Sequence, residues 1–337
     1  MRYKLIAALL SASLCLIILS GCVVIQKPAG LTEGDNGLGN PKFDTSLPDF
    51  STVLKGIENA NADGWYEVFT DNFDGTELNS AIWATSPHGM RTPTSSNLFP
   101  GHTSYWCPSM VTVKNGMVEI RSSEEKDHIC PDGICPAEGR FTGGIETRLA
   151  THAEGTRIIH DKSLFEQAFG YFECRVKFPD ETGLWSAFWL QSPQQALMGD
   201  EGRDGTEIDV YESAFIKNPT YMGHALLWNG YENGKVEDYR LDTGVDLYDG
   251  FHTFALKWTP EYYVFYIDGV ATWATDAGGV SQTPEFLRFT VELDQGDQWG
   301  PHAQFIGKFR DEDSVFYIDY IKVYQNVNFS AFEIPLN

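Results

Sequence analysis

Apolar and polar side chains alternate along this chain in short runs separated by turn residues. Tyr66-Glu67-Val68-Phe69-Thr70 alternates, and turn-rich Asp71 to Thr76 follows it. Val111-Thr112-Val113-Lys114 and Met117-Val118-Glu119-Ile120 alternate on either side of Asn115-Gly116. Both turn residues tolerate positive φ, so the run reads as a tight hairpin. A second hairpin turns at Asp268-Gly269, between Tyr263–Ile267 and Val270–Trp273. Phe169 to Pro179 is a further alternating run, and Leu184 to Gln191 follows it closely. No long stretch after the N-terminal region carries helical periodicity. Many short strands, with turn signals about every 8 to 12 residues, predict an all-β sandwich.

Composition narrows the function. The chain has 337 residues, is 42% apolar and 14% aromatic, and so can bury a large core with rings left to line a groove. It carries 47 acids against 24 bases. Phosphate recognition needs clustered Lys and Arg, so nucleic acid and other polyanions are unsuitable partners.

The first residues read as a targeting segment. Arg2 and Lys4 precede an apolar run from Leu5 to Leu19 that is shorter than the roughly 20 residues a spanning helix needs. Leu19-Ser20-Gly21-Cys22 resembles a bacterial lipobox, which implies lipidation of Cys22 and a membrane anchor in the cell envelope. Val23 replaces the Asp of an inner-membrane retention signal, so the outer membrane is expected. The expected division is a signal peptide at 1–21, a flexible Gly/Pro/Asn-rich tether at 22–63, a catalytic domain at 64–327 and a tail at 328–337.

Cys107, Cys130, Cys135 and Cys174 remain after the signal peptide. An even count in an exported chain favours disulfides, and of three connectivities the preferred one is Cys130–Cys135 with Cys107–Cys174. Zinc is the rival, weakly supported by a single C-x4-C spacing.

The chemistry concentrates in Glu207-Ile208-Asp209-Val210-Tyr211-Glu212. Alternate residues of a strand share a face, so Glu207 and Asp209 point the same way while Glu212 turns to the other side. One extra residue, a β-bulge at Val210-Tyr211, brings Glu212 back beside them. Three carboxylates on one face repel one another, so the arrangement points to chemistry; the plain alternative is an exposed edge strand. Trp185 and Trp189 share a strand face, and their flat rings suit the apolar C–H faces of sugars, although core burial is the alternative for either. His224 and Trp228 lie in the next run, and Trp299 is a further aromatic candidate. Glu292 shares a face with Thr290 and Asp294 and is placed to reach sugar hydroxyls, or to form a surface salt bridge.

The run Glu207 to Glu212 matches the E-x-D-x-x-E signature of glycoside hydrolase family 16. The similarity spans about 65 to 325 and keeps the family's order. Phe69 to Thr76 resembles its opening strand and turn, Phe169 to Trp189 its "GYFE-R-K-P…W-AFWL" block, Phe251 to Gly269 its late strands, and Tyr317 to Tyr324 its last strand. The resemblance implies a concanavalin A-like β-jelly roll of two antiparallel sheets with a concave substrate cleft. It implies Glu207 as nucleophile, Glu212 as general acid/base and Asp209 as the assisting acid. A retaining glycosidase needs its two carboxyls about 5–5.5 Å apart. Residues four pleat positions apart start about 13 Å apart, so these long side chains must lean together. No cofactor is needed; some relatives hold a structural calcium, and Asp319 occupies the position of an Asp often used for it.

Bulge-type members of the family include laminarinases, agarases, carrageenases, porphyranases and endo-galactanases. The matched strands lack a basic cluster, so a neutral polymer fits better than a sulfated one. The expected activity is endo-hydrolysis of a β-1,3-glucan by a monomer, with a β-galactan second. Departures from the common laminarinase are Glu292, Leu227 beside Trp228 where some relatives have His, the 86–109 loop and an insertion from Ala150 to Gln167. Two further alternatives are a transglycosylase and a non-catalytic surface glycan-binding lipoprotein. Loss of Glu207 or Glu212 would have marked the latter, and both are present.

Overall fold

A computed structural model of the chain describes residues 36–85, 104–131, 133, 135–154, 157–181, 183–195, 199–213, 219–230, 234–293, 309 and 314–329, with backbone alone within 150–162. The expected signal peptide, Cys22, most of the 86–109 loop and Trp299 lie outside the described residues.

Two antiparallel sheets enclose the main core. One runs, in spatial order, Val270–Thr275, Tyr263–Ile267, His252–Trp258, Gly170–Lys177, Val315–Asn326, Met117–Arg121 and Val111–Lys114, and Trp65–Asp71 also pairs with Val315–Asn326. The other runs Lys235–Asp242, Tyr221–Trp228, Thr206–Glu212, Leu184–Gln191, Phe286–Leu293, Gly144–Glu146 and Ala84–Thr85. This is the all-β sandwich that the alternation predicts, with the jelly-roll form that the resemblance implies. The described helices are short 3-10 turns. Both hairpins form where expected. Asn115 and Gly116 have φ of 55° and 73°, and Asp268 and Gly269 have 47° and 77°, the positive values that a two-residue hairpin turn requires.

Alternation explains the packing between the sheets. Phe172, Cys174 and Val176 from one strand meet Phe188, Leu190, Ile208 and Phe289 from the other sheet in a single core cluster. Such burial is the dominant favourable term in folding.

Two expectations are corrected here. Residues 36–63 do not all behave as a tether. Phe43 is buried against Tyr171, Val264, Tyr266 and Tyr324, with Leu38, Phe50 and Val53 packed alongside, on the outer face of the first sheet. Phe50 stacks on Tyr324 with ring centroids 4.1 Å apart. A few apolar anchors are enough to hold a polar, Pro-containing segment down.

The second correction concerns the cysteines, none of which is in a disulfide. Cys174 is wholly enclosed in the inter-sheet core, while Cys107 belongs to a separate small cluster with Met110, Cys135 and Phe141, so these two cannot pair. Cys130 and Cys135 are likewise unlinked. Asp319 lies on Val315–Asn326 and forms an ion pair with Arg175 of the neighbouring strand, so a calcium ion there would have to displace that pair.

Candidate active site

The strand Thr206–Glu212 sits mid-sheet between Leu184–Gln191 and Tyr221–Trp228. Its register decides where the acids point. On one side Asp209 faces Trp189, Tyr211 faces Phe188 and Glu212 faces Ala187, leaving Val210 as an extra residue. The other neighbour shows the same irregularity, with Asp209 opposite Ala225 and Glu212 opposite Gly223. The bulge therefore falls at the place the spacing predicts. Val210 and Tyr211 both turn into the core, and Glu207, Asp209 and Glu212 share the outward face.

Cross-strand pairing arranges that face in rows. One row reads Arg240, Gly223, Glu212, Ala187, Thr290. The next reads Asp238, Ala225, Asp209, Trp189, Arg288, Glu146. The third reads Val236, Leu227, Glu207, Gln191, Phe286. Glu212 thus lies between two small neighbours, Gly223 and Ala187. Trp185 pairs with Glu292 one step further along the strand.

The electrostatics follow from burial. Glu207 and Asp209 are buried, and Glu212 is partly exposed. Burial pushes the Glu212 carboxyl up to about 8; Glu207 and Glu292 add to the rise, and Arg240 and a hydrogen bond from Trp185 oppose it. Asp209 is pushed well above the usual carboxylate range by burial, then by Glu212 and Glu207. Glu212 therefore holds a proton near neutrality, and Asp209 is biased the same way.

Glu207 is held by a relay that the sequence did not disclose. Gln191 Nε2 donates to Glu207 Oε2 at 3.0 Å, and Gln191 Oε1 accepts from Arg288 Nη1 at 3.1 Å. Arg288 Nε then pairs with Glu146 Oε2 at 3.0 Å, both side chains fully buried. Arg288 also lies 4.1 Å from the centre of the Trp189 ring, over its face, a cation–π contact that fixes both groups. Burial pushes Glu146 up to about 7, with Arg288 and Arg148 opposing the rise. The available signal was Arg288 itself, a lone cation in the apolar run Phe286 to Leu293.

The candidate sugar contacts divide. Trp185, Trp189 and Glu292 lie on the acid-bearing face, where Trp189 donates to Thr290 Oγ1 at 3.1 Å. His224 and Trp228 lie on the opposite face and are corrected to structural roles. His224 is fully buried, with Nδ1 2.6 Å from Val210 O and Nε2 2.9 Å from Thr272 Oγ1. Burial lowers its pKa to about 4, so it stays neutral. Trp228 packs in the inter-sheet core and donates to Glu201 Oε2 at 3.0 Å. Leu227, Ala225 and Gly223, opposite Glu207, Asp209 and Glu212, are the residues of that run facing the acids.

Comparison with known proteins decides what this face belongs to. Residues 137–293 match the family model described as Glycosyl hydrolases family 16. Residues 137–293 thus carry a domain of this family. The chain is 30% identical over 180 residues to the Endo-1,3-1,4-beta-glycanase ExsH of Rhizobium meliloti (strain 1021), covering 53% of this chain and 35% of that one. It is 26% identical over 199 residues to a Beta-glucanase of Acetivibrio thermocellus, covering 59% and 45%. The chain thus spans roughly a third to a half of the length of these curated relatives. The laminarinase catalytic domain from Thermotoga maritima MSB8 superposes with a TM-score of 0.59 at 22% identity, covering 78% of this chain and 99% of that one. Porphyranase B from Zobellia galactanivorans gives 0.56 at 17%, covering 77% and 92%. These two likenesses establish the jelly-roll fold of the family 16 domain.

Proposed function

We propose that the protein is an endo-acting, retaining glycoside hydrolase that cleaves a β-1,3-linked glucan, using Glu207 as nucleophile and Glu212 as general acid/base. One observation carries the proposal: the bulge at Val210 places both glutamates on one face, with Glu212 pushed up to about 8. Glu212 then holds the proton that the leaving oxygen needs, and Glu207, aligned by Gln191, attacks the anomeric carbon. The bond from that carbon to the leaving oxygen breaks as the carboxylate bond forms. Glu212, now deprotonated, takes a proton from water, which releases the sugar with its configuration retained. Protonated Asp209 between them can donate to Glu207 and disperse the charge that returns to it. The chemistry uses no metal or organic cofactor.

The charge of the face supports a neutral substrate. Glu207, Asp209, Glu212 and Glu292 share it, and Arg288, its most deeply buried cation, is paired with Glu146. A sulfated or uronic chain would find acids there rather than a basic cluster to bind it. The sequence relatives carry glucan-directed names, including a "Glucan endo-1,3-beta-glucosidase" of Cryptopygus antarcticus, 33% identical over 100 residues. Anchoring through lipidated Cys22 at the outer membrane would hold the enzyme where such polymers arrive.

Reducing-end release should be compared on laminarin, mixed-linkage β-glucan, agarose, κ-carrageenan and arabinogalactan, with Glu207→Ser alongside. Release from laminarin that disappears in the variant is the expected result. Release from a galactan alone would replace the substrate and keep the mechanism. Binding without release, equal in wild type and variant, would make the protein a glycan-binding one.

A further inference from the structure

Away from the acids, three cysteines converge. The Sγ atoms of Cys107, Cys130 and Cys135 all lie within 4.8 Å of one another, and those of Cys107 and Cys130 are 3.6 Å apart. A disulfide would hold two sulfurs at about 2.05 Å. A tetrahedral zinc ion with bonds to sulfur near 2.3 Å spaces its sulfurs about 3.8 Å apart, which is the separation approached here.

The surroundings are those of a metal site. His128 Nε2 lies 3.2 Å from Cys107 Sγ, while its Nδ1 lies 2.8 Å from Glu125 Oε2. A carboxylate on one ring nitrogen fixes the tautomer and leaves the lone pair of the other facing Cys107 Sγ, with the Ser109 hydroxyl 3.3 Å away, the usual support of a metal-binding imidazole. The ring is further held by stacking on Phe141, with centroids 3.7 Å apart and planes 15° apart. Cys135 N–H donates to Cys130 Sγ at 3.3 Å, and the Ser109 hydroxyl lies 3.1 Å from Cys107 Sγ. Cys107, Cys135 and His128 are buried and Cys130 is partly exposed.

We propose that Cys107, Cys130 and Cys135 bind one structural zinc ion, with His128 turning in from beside Cys107 as the fourth ligand. Four protein ligands leave no position for water or substrate, which is the character of a structural site. Three ligands lie within 128–135 and the fourth closes the Tyr105–Trp106 strand, so the ion staples that turn to that strand. Trp106, next to Cys107, is fully buried and donates to Val291 O at 2.9 Å. Its ring also lies 5.7 Å from the Arg288 guanidinium. The zinc therefore anchors a segment that touches the relay behind Glu207. In an oxidising compartment a disulfide is the competitor, but three clustered thiols cannot all be satisfied by one.

The test uses the full chain, isolated without chelator or added metal, and combines elemental analysis with intact mass under non-reducing conditions. The expected result is one zinc per chain, with Cys107, Cys130 and Cys135 protected from a thiol reagent until a chelator removes the ion. Cys174→Ser, altered in the separate core, should keep the full complement. His128→Cys should keep it through a fourth thiolate, and His128→Ala should weaken it in competition with a chromogenic chelator. Glu125→Gln should lower zinc affinity about 10- to 100-fold. The proposal is overturned if the chain is zinc-free and two hydrogens lighter through a disulfide within the cluster. It is equally overturned if reduced, metal-free protein takes up no zinc from zinc chloride alone.

Discussion

Gln191 donates to Glu207 at 3.0 Å while accepting from Arg288 at 3.1 Å, so the proposed nucleophile is oriented by an amide whose own orientation is fixed from behind. Arg288 can only donate, so Gln191 must turn its carbonyl towards Arg288 and its NH2 towards Glu207. Replacing Gln191 by Leu keeps the volume and removes the donor. A hydrogen bond to a charged group is worth about 1.5–3 kcal/mol, so kcat should fall roughly 10- to 100-fold with KM nearly unchanged. Steady-state kinetics on the polymer that is cut would decide it, and an unchanged kcat would remove the relay from the mechanism.

Glu146 and Arg288 form the buried end of that relay, and Glu146 supplies the carboxylate that faces the buried guanidinium. Glu146→Gln leaves an uncompensated buried charge and should cost about 3–5 kcal/mol of stability. Denaturant titration would measure this. A cost below about 1 kcal/mol would mean that water or a neighbouring residue already stabilises Arg288.

The Glu212 carboxyl, pushed up to about 8 from an ordinary 4.5, makes two pH predictions of opposite use. As general acid it must be protonated, so kcat/KM should fall tenfold per unit above pH 8. For folding, the native state keeps a proton that the unfolded chain releases above 4.5. This contribution to stability is therefore fully present below 4.5 and is lost as pH rises towards 8. Glu212→Gln should abolish hydrolysis and raise Tm relative to wild type at pH 8, with little difference at pH 4. Equal Tm values at both pH values would show that the carboxyl is not destabilised by its site.

How much of this was readable depended on how local each feature is. The bulge at Val210, both hairpins and the alternating strands are set within a few residues, and the sequence alone predicts them. The side chosen by His224 and Trp228 is not local. It depends on Asp209 pairing with Ala225, a register between separate strands that puts even-numbered residues of Tyr221–Trp228 inward. The relay joins Glu146, Gln191, Arg288 and Glu207 across four strands, and no spacing encodes it. The 36–63 segment reads as a tether because its anchors, Leu38, Phe43, Phe50 and Val53, are sparse and fit neither strand nor helix period. The cysteine cluster was hidden for a similar reason. Cys107 is distant in sequence, and only the fold brings it to Cys130 and Cys135.

The two tryptophans on opposite faces can be separated by experiment. Trp185, half-buried beside Glu212, should contribute to sugar binding, so Trp185→Ala should raise KM. It should also move the basic limb to higher pH, because the hydrogen bond that opposes the Glu212 rise is gone. Trp228→Ala empties part of the inter-sheet core and should cost about 3–5 kcal/mol of stability without changing KM. A raised KM in Trp228→Ala with unchanged Tm would return that residue to the substrate site.

Residues 36–63 give the last prediction. Phe50 stacks on Tyr324 at 4.1 Å and lies 4.7 Å from Tyr171, and Lys257 Nζ donates to Ser46 O at 2.8 Å. Ring pairs of this kind add about 0.5–1.5 kcal/mol beyond the area they bury. Phe50 is partly exposed, so Phe50→Ala should cost about 2 kcal/mol, less than a fully buried ring. Limited proteolysis reads the same contacts directly. The wild-type chain should resist cleavage between 36 and 63, and Phe50→Ala should open that stretch to a protease before the sandwich is cut. Equal susceptibility of both proteins would restore the boundary near 63 and make the segment a tether after all.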